Sequence, residues 1–164
     1  MSRNGVEFGV RLPGMDQWFT GPANYVQGLL FPGFTQEDAA PDIGDSSITE
    51  TAGIGGFALA SAPAIVQFVG GSVSQALKYS EDMHQITYGK HQVFTLPTLD
   101  FKPTALGIDI MSVIEKNVLP IINTGMAHKD PGVGQVGAGL VNPPLKCFED
   151  ALVALLESLE GDAT

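Results

Sequence analysis

The sequence predicts an α+β fold in which mixed or antiparallel strands, arranged as two hairpins, pack with about four helices. Three observations carry this. Val6, Phe8, Val10 and Leu12 alternate with Glu7, Gly9 and Arg11, the period of a half-buried strand. Lys129-Asp-Pro-Gly-Val reverses the chain between two strand-like runs, so that pair forms an antiparallel hairpin. Leu145, Phe148, Leu152, Leu155, Leu156 and Leu159 form one apolar stripe at helical spacing, opened by Pro143-Pro144 and stopped by Gly161.

The elements follow in order. Residues 6–12 form the first strand, and Pro13-Gly14-Met15-Asp16 turns it back into Gln17–Thr20. Gly21 to Asp45 mixes Pro and Gly with Tyr25, Phe31 and Phe34, and reads as a long ordered loop. Ser47-x-x-Glu50 fits a capping box, so a helix starts there and runs through Phe57–Ala60 to a break at Pro63; Ala64–Val69 continues the apolar run. Ser72-x-x-Gln75 is a second capping box, opening a helix from about Val73 to Tyr88 that Gly89 stops. Phe94–Asp100 is extended, and Asp109 caps a short helix over Ile110–Asn117. Leu119–Gly125 and Gly134–Val141 are the strands of the second hairpin.

With 164 residues, 44% hydrophobic and 16% charged, the chain can bury a core as a single domain over 1–164. Its net charge of −10 repels phosphate backbones, which argues against nucleic-acid binding. Thr51 to Leu77 carries no charge, but Pro63, glycines, serines and glutamines break it, so a buried broken helix fits better than a membrane span. The N-terminus leads straight into a strand pattern without a signal peptide, and the lone Cys147 excludes an internal disulfide, which fits a cytoplasmic protein. Cys147 itself reads as a small buried core residue.

Two segments concentrate chemistry. In 42–56, Asp42, Asp45 and Glu50 could ligate Mg²⁺ or move protons, while Ser46, Thr49, Thr51 and the amides of Gly53, Gly55 and Gly56 could meet an anionic substrate. The structural alternative is that Asp45 ends a loop, Glu50 closes the capping box, and the glycines permit close packing. In 123–135, Asn123, Thr124 and Gly125 lead to the adjacent pair His128 and Lys129. His128 suits proton transfer, Lys129 an anion, and Asn123 and Thr124 a developing oxyanion; the alternative is a polar hairpin turn. If both segments form one site, they converge on one pocket. Gly132-Val-Gly-Gln-Val-Gly137 matches a dinucleotide fingerprint, but the residues after it read as strand rather than helix, so no nucleotide cofactor is expected. His84 and His91 read as surface or interface positions, His84 within a helix.

Three segments together, Arg3-Asn-Gly-Val-Glu-Phe-Gly-Val-Arg11, Pro41–Phe57 and Ile122–Gly139, resemble the YlbE/YahG family. That family accompanies FdrA-type proteins that look like acyl-CoA synthetases. The resemblance is to the C-terminal part of longer family chains and covers nearly all of this one, which implies a fragment or a shortened relative. One branch is associated with oxamate carbamoyltransferase in anaerobic allantoin breakdown. The resemblance therefore implies a subunit of a carbamoyltransferase that interconverts oxalurate plus phosphate with oxamate plus carbamoyl phosphate, in a multi-subunit assembly with an FdrA-like partner and as a homo-oligomer. The rival expectation is a non-catalytic module docking the acyl-CoA-synthetase-like partner through the loop at 21–45 and the apolar run at 54–69. A third is an unrelated metal-dependent hydrolase using the same carboxylates.

Overall fold

The computed structural model describes residues 1–44 and 47–161. It is an α+β fold in which every strand pairing is antiparallel. Strands β1 (Ser2–Asn4) and β2 (Glu7–Val10) form a tight hairpin. Its turn is built by Asn4, whose Oδ1 accepts from the backbone N–H of Val6 and Glu7 at 2.9 and 2.7 Å, and by Gly5 in the left-handed region at φ 85°. β3 (Phe19–Pro22) returns beside β2, and the loop between them carries Trp18, 45% exposed, with the Arg11 guanidinium 5.5 Å from its ring.

The region expected to be loop contains two further strands, β4 (Gln27–Leu30) and β5 (Ile43–Gly44). β5 completes a four-stranded sheet ordered β3-β2-β1-β5. Next come the short helix α1 (Ser47–Thr51), a 3-10 segment over Gly55–Ser61, α2 (Pro63–Phe68) and α3 (Val73–Met83). The charge-free run is therefore folded into four short pieces, and among the described residues no helix is long and apolar enough to cross a membrane. The α3 capping box is formed: Ser72 Oγ accepts from the Gln75 amide, and Gln75 Oε1 accepts from the Ser72 amide.

α3 stops at Met83, five residues before the expected end at Tyr88, and His84 is its C-cap rather than an interior residue. Thr87 and Tyr88 instead open the long strand β6 (Thr87–Leu96), which pairs with β7 (Lys102–Ile108) in a separate two-stranded ribbon. α4 (Ile110–Lys116) is capped by Asp109, whose Oδ1 accepts from the Met111 amide at 3.0 Å. β8 (Ile122–Ala127) and β9 (Gln135–Val141) form the second expected hairpin, and β4 adds to it to give the order β4-β9-β8. The dinucleotide-like run thus enters strand β9 and opens no helix. The final helix, α5 (Leu145–Gly161), buries Cys147, Phe148 and Ala151, with the Cys147 thiol 3.6 Å from the Phe8 carbonyl of β2. Phe57 and Leu59 of the 3-10 segment lie in the same continuous core as Phe8, Met83, Ile122, Val136 and Phe148.

Candidate functional site

Glu50 joins the two predicted segments. Its carboxylate is 0% exposed. Oε1 accepts from the backbone N–H of Gly56 at 2.8 Å and of Asn123, on β8, at 3.1 Å; Oε2 accepts from the Thr49 hydroxyl at 2.9 Å. Burial pushes the Glu50 carboxyl above its ordinary range, and these donors pull it partly back. The Glu50 side chain turns inward to reach β8, and Ser47, the first residue of α1, donates its hydroxyl to the Met1 carbonyl at 3.0 Å. The glycines make this approach possible. Gly55, at φ 63°, has no room for a Cβ beside the Glu50 carboxylate, and a Cβ on Gly56 would collide with the Ile121 carbonyl. Gly53 lies as closely against the Ala105 carbonyl of β7. Other polar groups of the segment are also engaged: Gly53 N–H donates to Glu50 O, Ile54 N–H to Thr49 O, and the Thr51 hydroxyl to Ser47 O. Asp45 and Ser46 lie outside the described residues.

A second network stands on the other side of Asn123. Arg3 of β1 donates from Nε to Asp42 Oδ1 at 2.8 Å and from Nη2 to the Thr124 hydroxyl of β8 at 3.0 Å. Arg3 and Asp42 are 5% and 3% exposed. Burial raises the Asp42 carboxyl, while the Arg3 charge and hydrogen bond lower it. Thr124 and Gly125 face Gly44 and Gln135 across a surface groove of about 280 Å³. The sequence marks Arg3 only as the start of a family-like segment. Its distinguishing signal is that Arg3 and Arg11 are the only cations before Lys78. Among the described residues, no group of three His, Cys, Asp or Glu side chains is placed to hold a metal ion.

His128 and Lys129 stand at the far end of β8. His128 lies five positions beyond Asn123, about 16 Å of extended chain. His128 forms a bridge to Ala39, donates its backbone N–H to Gly134 O at 2.9 Å, and sets its ring edge-on to Phe34 at 5.9 Å. Its Nδ1 accepts from the Asp130 amide at 2.9 Å, and the side chain is only 11% exposed. Lys129 lines a shallow hollow of about 330 Å³ with Tyr25 and Glu37. The two predicted segments therefore meet along β8, and both line the groove, through Ile43 and Gly44 on one side and Thr124, Gly125 and Gln135 on the other. Glu50, Gly56 and Asn123 lie at the buried end of β8, Thr124 and Gly125 at its middle, and His128 and Lys129 follow its last residue, Ala127.

One further cleft has no counterpart in the sequence reading. A cleft of about 830 Å³ runs between β4 and β9 on one side and the α2–α3 connection on the other. No charged side chain lines it; the amides of Asn24, Gln27, Gln75 and Asn142 alternate with Tyr25 and Tyr79. Its β4 wall lies in the region whose Pro and Gly content had suggested loop.

Comparison with known proteins places this arrangement. The family model described as oxamate carbamoyltransferase subunit AllG matches residues 1–46. The uncharacterized protein YahG of Escherichia coli (strain K12) is 54% identical over 158 residues, 96% of this chain and 34% of YahG. Oxamate carbamoyltransferase subunit AllG of the same organism is 51% identical over 161 residues, 97% of this chain and 38% of AllG. The chain belongs to the YahG/AllG-like family. A crystal structure of a conserved protein of unknown function from Enterococcus faecalis V583 has the same fold, with a TM-score of 0.92 and 55% identity over 96% of the YahG/AllG-like chain and 38% of its own. The chain thus spans little more than a third of the length of the curated relatives it matches.

Proposed function

We propose that this YahG/AllG-like chain is part of a carbamoyltransferase subunit acting on oxalurate, oxamate and carbamoyl phosphate. The observation that carries this is the 51% identity to oxamate carbamoyltransferase subunit AllG across 97% of the chain. In the proposed direction, a phosphate oxygen attacks the carbamoyl carbon of oxalurate to form a tetrahedral oxyanion. The bond from that carbon to the oxamate nitrogen then breaks, and the nitrogen takes a proton. The products are carbamoyl phosphate and oxamate. Substrate and phosphate are both anionic; just beyond β8, Lys129 offers a cation in its own hollow and His128 a ring nitrogen, while a separate groove along β8 is lined by Thr124 and Gly125. Glu50 and Arg3 hold β8 in place from behind. The proposal includes an FdrA-like protein partner, a homo-oligomer and a divalent ion, Mg²⁺; Asp42 could join that ion only in competition with Arg3.

The test is an assay of carbamoyl phosphate formed from oxalurate and phosphate by the full-length protein together with its genomic neighbours. Formation lost on His128→Ala supports the proposed role; an unchanged rate removes His128. Full activity after dialysis against EDTA removes the ion. The second reading, a docking module without chemistry of its own, is favoured by one observation: Glu50, the expected acid or base, is fully enclosed and hydrogen-bonded by Thr49, Gly56 and Asn123. Activity that requires the protein but survives substitution of His128, Lys129 and Asn123 would select that reading.

A further inference from the structure

We infer that the cleft between β4 and the α2–α3 connection is a docking surface for an extended, uncharged polypeptide segment, of the kind the longer relatives carry in the same chain. The cleft has the composition of an interface centre. No charge lines it, although 16% of the chain is charged and the net charge is −10. Its amides are already fixed by the fold. Asn24 donates to the Asn142 carbonyl, Gln27 to the Tyr25 carbonyl, Asn142 to the Pro120 carbonyl, and Gln75 accepts from the Ser72 amide. Each keeps a further donor or acceptor, and such neutral pairs suit backbone amides better than they suit an ion.

β4 gives the stronger reason. It is the edge of its sheet, so among the described residues one side of its backbone has no strand partner. Exposed edges are ordinarily guarded by lysine, proline or an inward charge. β4 reads Gln-Gly-Leu-Leu and has none of these, while Leu29 stands 47% exposed on the cleft wall. An unguarded edge beside an uncharged cleft suits strand addition by another segment. The occupant follows from length. The matched fold is 34% of YahG and 38% of both AllG and the Enterococcus faecalis chain, so roughly two thirds of those chains must pack outside it.

The experiment compares thiol labelling at one position in two intact proteins. Leu29→Cys in the 164-residue chain exposes one thiol against a buried Cys147. The same substitution is made at the aligned position of full-length YahG, and maleimide labelling of that peptide is followed by mass spectrometry. The expected result is rapid labelling in the shorter chain and at least roughly tenfold slower labelling in YahG, since a thiol under an interface reacts only when it opens. Equal rates in the two proteins overturn the inference, as does slow labelling in the 164-residue chain alone.

Discussion

Glu50 shows how a residue that looks catalytic in sequence can be tied to architecture. A carboxylate after serines and before glycines is legible as chemistry, but its fate depends on whether the chain folds back far enough to supply donors. Here β8, more than seventy residues downstream, does so. Glu50→Ala leaves the Gly56 and Asn123 amides without their acceptor in the core and should cost about 2–4 kcal/mol in urea unfolding. Glu50→Gln keeps the Oε1 acceptor and should cost much less. The titration follows from the same burial. The folded carboxyl binds its proton more tightly than the unfolded one, so the native state holds more protons between the two pKa values. Stability therefore falls as pH rises from the ordinary glutamate range through the raised value, and Glu50→Gln should flatten that fall. Unfolding curves at a series of pH values check this; an unchanged slope would mean the carboxyl is not perturbed. Arg3 was hidden for the opposite reason. An arginine near a chain start reads as solvated, and only the pairing of β1 with β5 buries it against Asp42. Arg3→Ala should cost about 3–5 kcal/mol by leaving that charge alone, and Arg3→Ala with Asp42→Ala should cost less than the sum of the two.

At the scale of elements, caps were readable and pairings were not. Ser72 and Gln75 announced α3 because a cap is local, and Ser72→Ala should remove about 1 kcal/mol of stability, measured by thermal unfolding. The end of α3 is not legible locally: Gly89 resembles a C-cap, whereas Thr87 and Tyr88 favour the strand that the partner β7 makes available. β4 escaped notice because its partner, β9, is more than a hundred residues away and the contact is made by glycines. Gly28 faces Gly139 in register, and a Cβ on Gly139 would strike the Gln27 carbonyl. Gly139→Ala should therefore pry β4 from β9, seen as faster amide exchange over residues 27–30 while α5 stays protected. Unchanged protection of β4 would show that the strand accommodates the methyl group.

Taken whole, the molecule joins two sheets, a ribbon and a terminal helix through one continuous core running from Phe8 to Ala151. Such a core should fail as a unit, so loss of far-ultraviolet circular dichroism and exposure of the Cys147 thiol should coincide in denaturant. Separated transitions would mean that the sheets melt independently. The α+β class was visible in the sequence because alternation, capping and the final leucine stripe are each local signals. The candidate site was only half visible, because Asn123 and Thr124 lie on one strand with His128 and Lys129 just beyond its end, while their neighbours come from chain ends and loops. Trp18 adds a practical consequence. It is the chain's single tryptophan and sits in the β2–β3 loop, nearly half exposed against Arg11. Its emission in the native state should already resemble that of an indole in water, so intrinsic fluorescence will scarcely register unfolding, and a flat fluorescence trace from this protein should not be taken for resistance to denaturant.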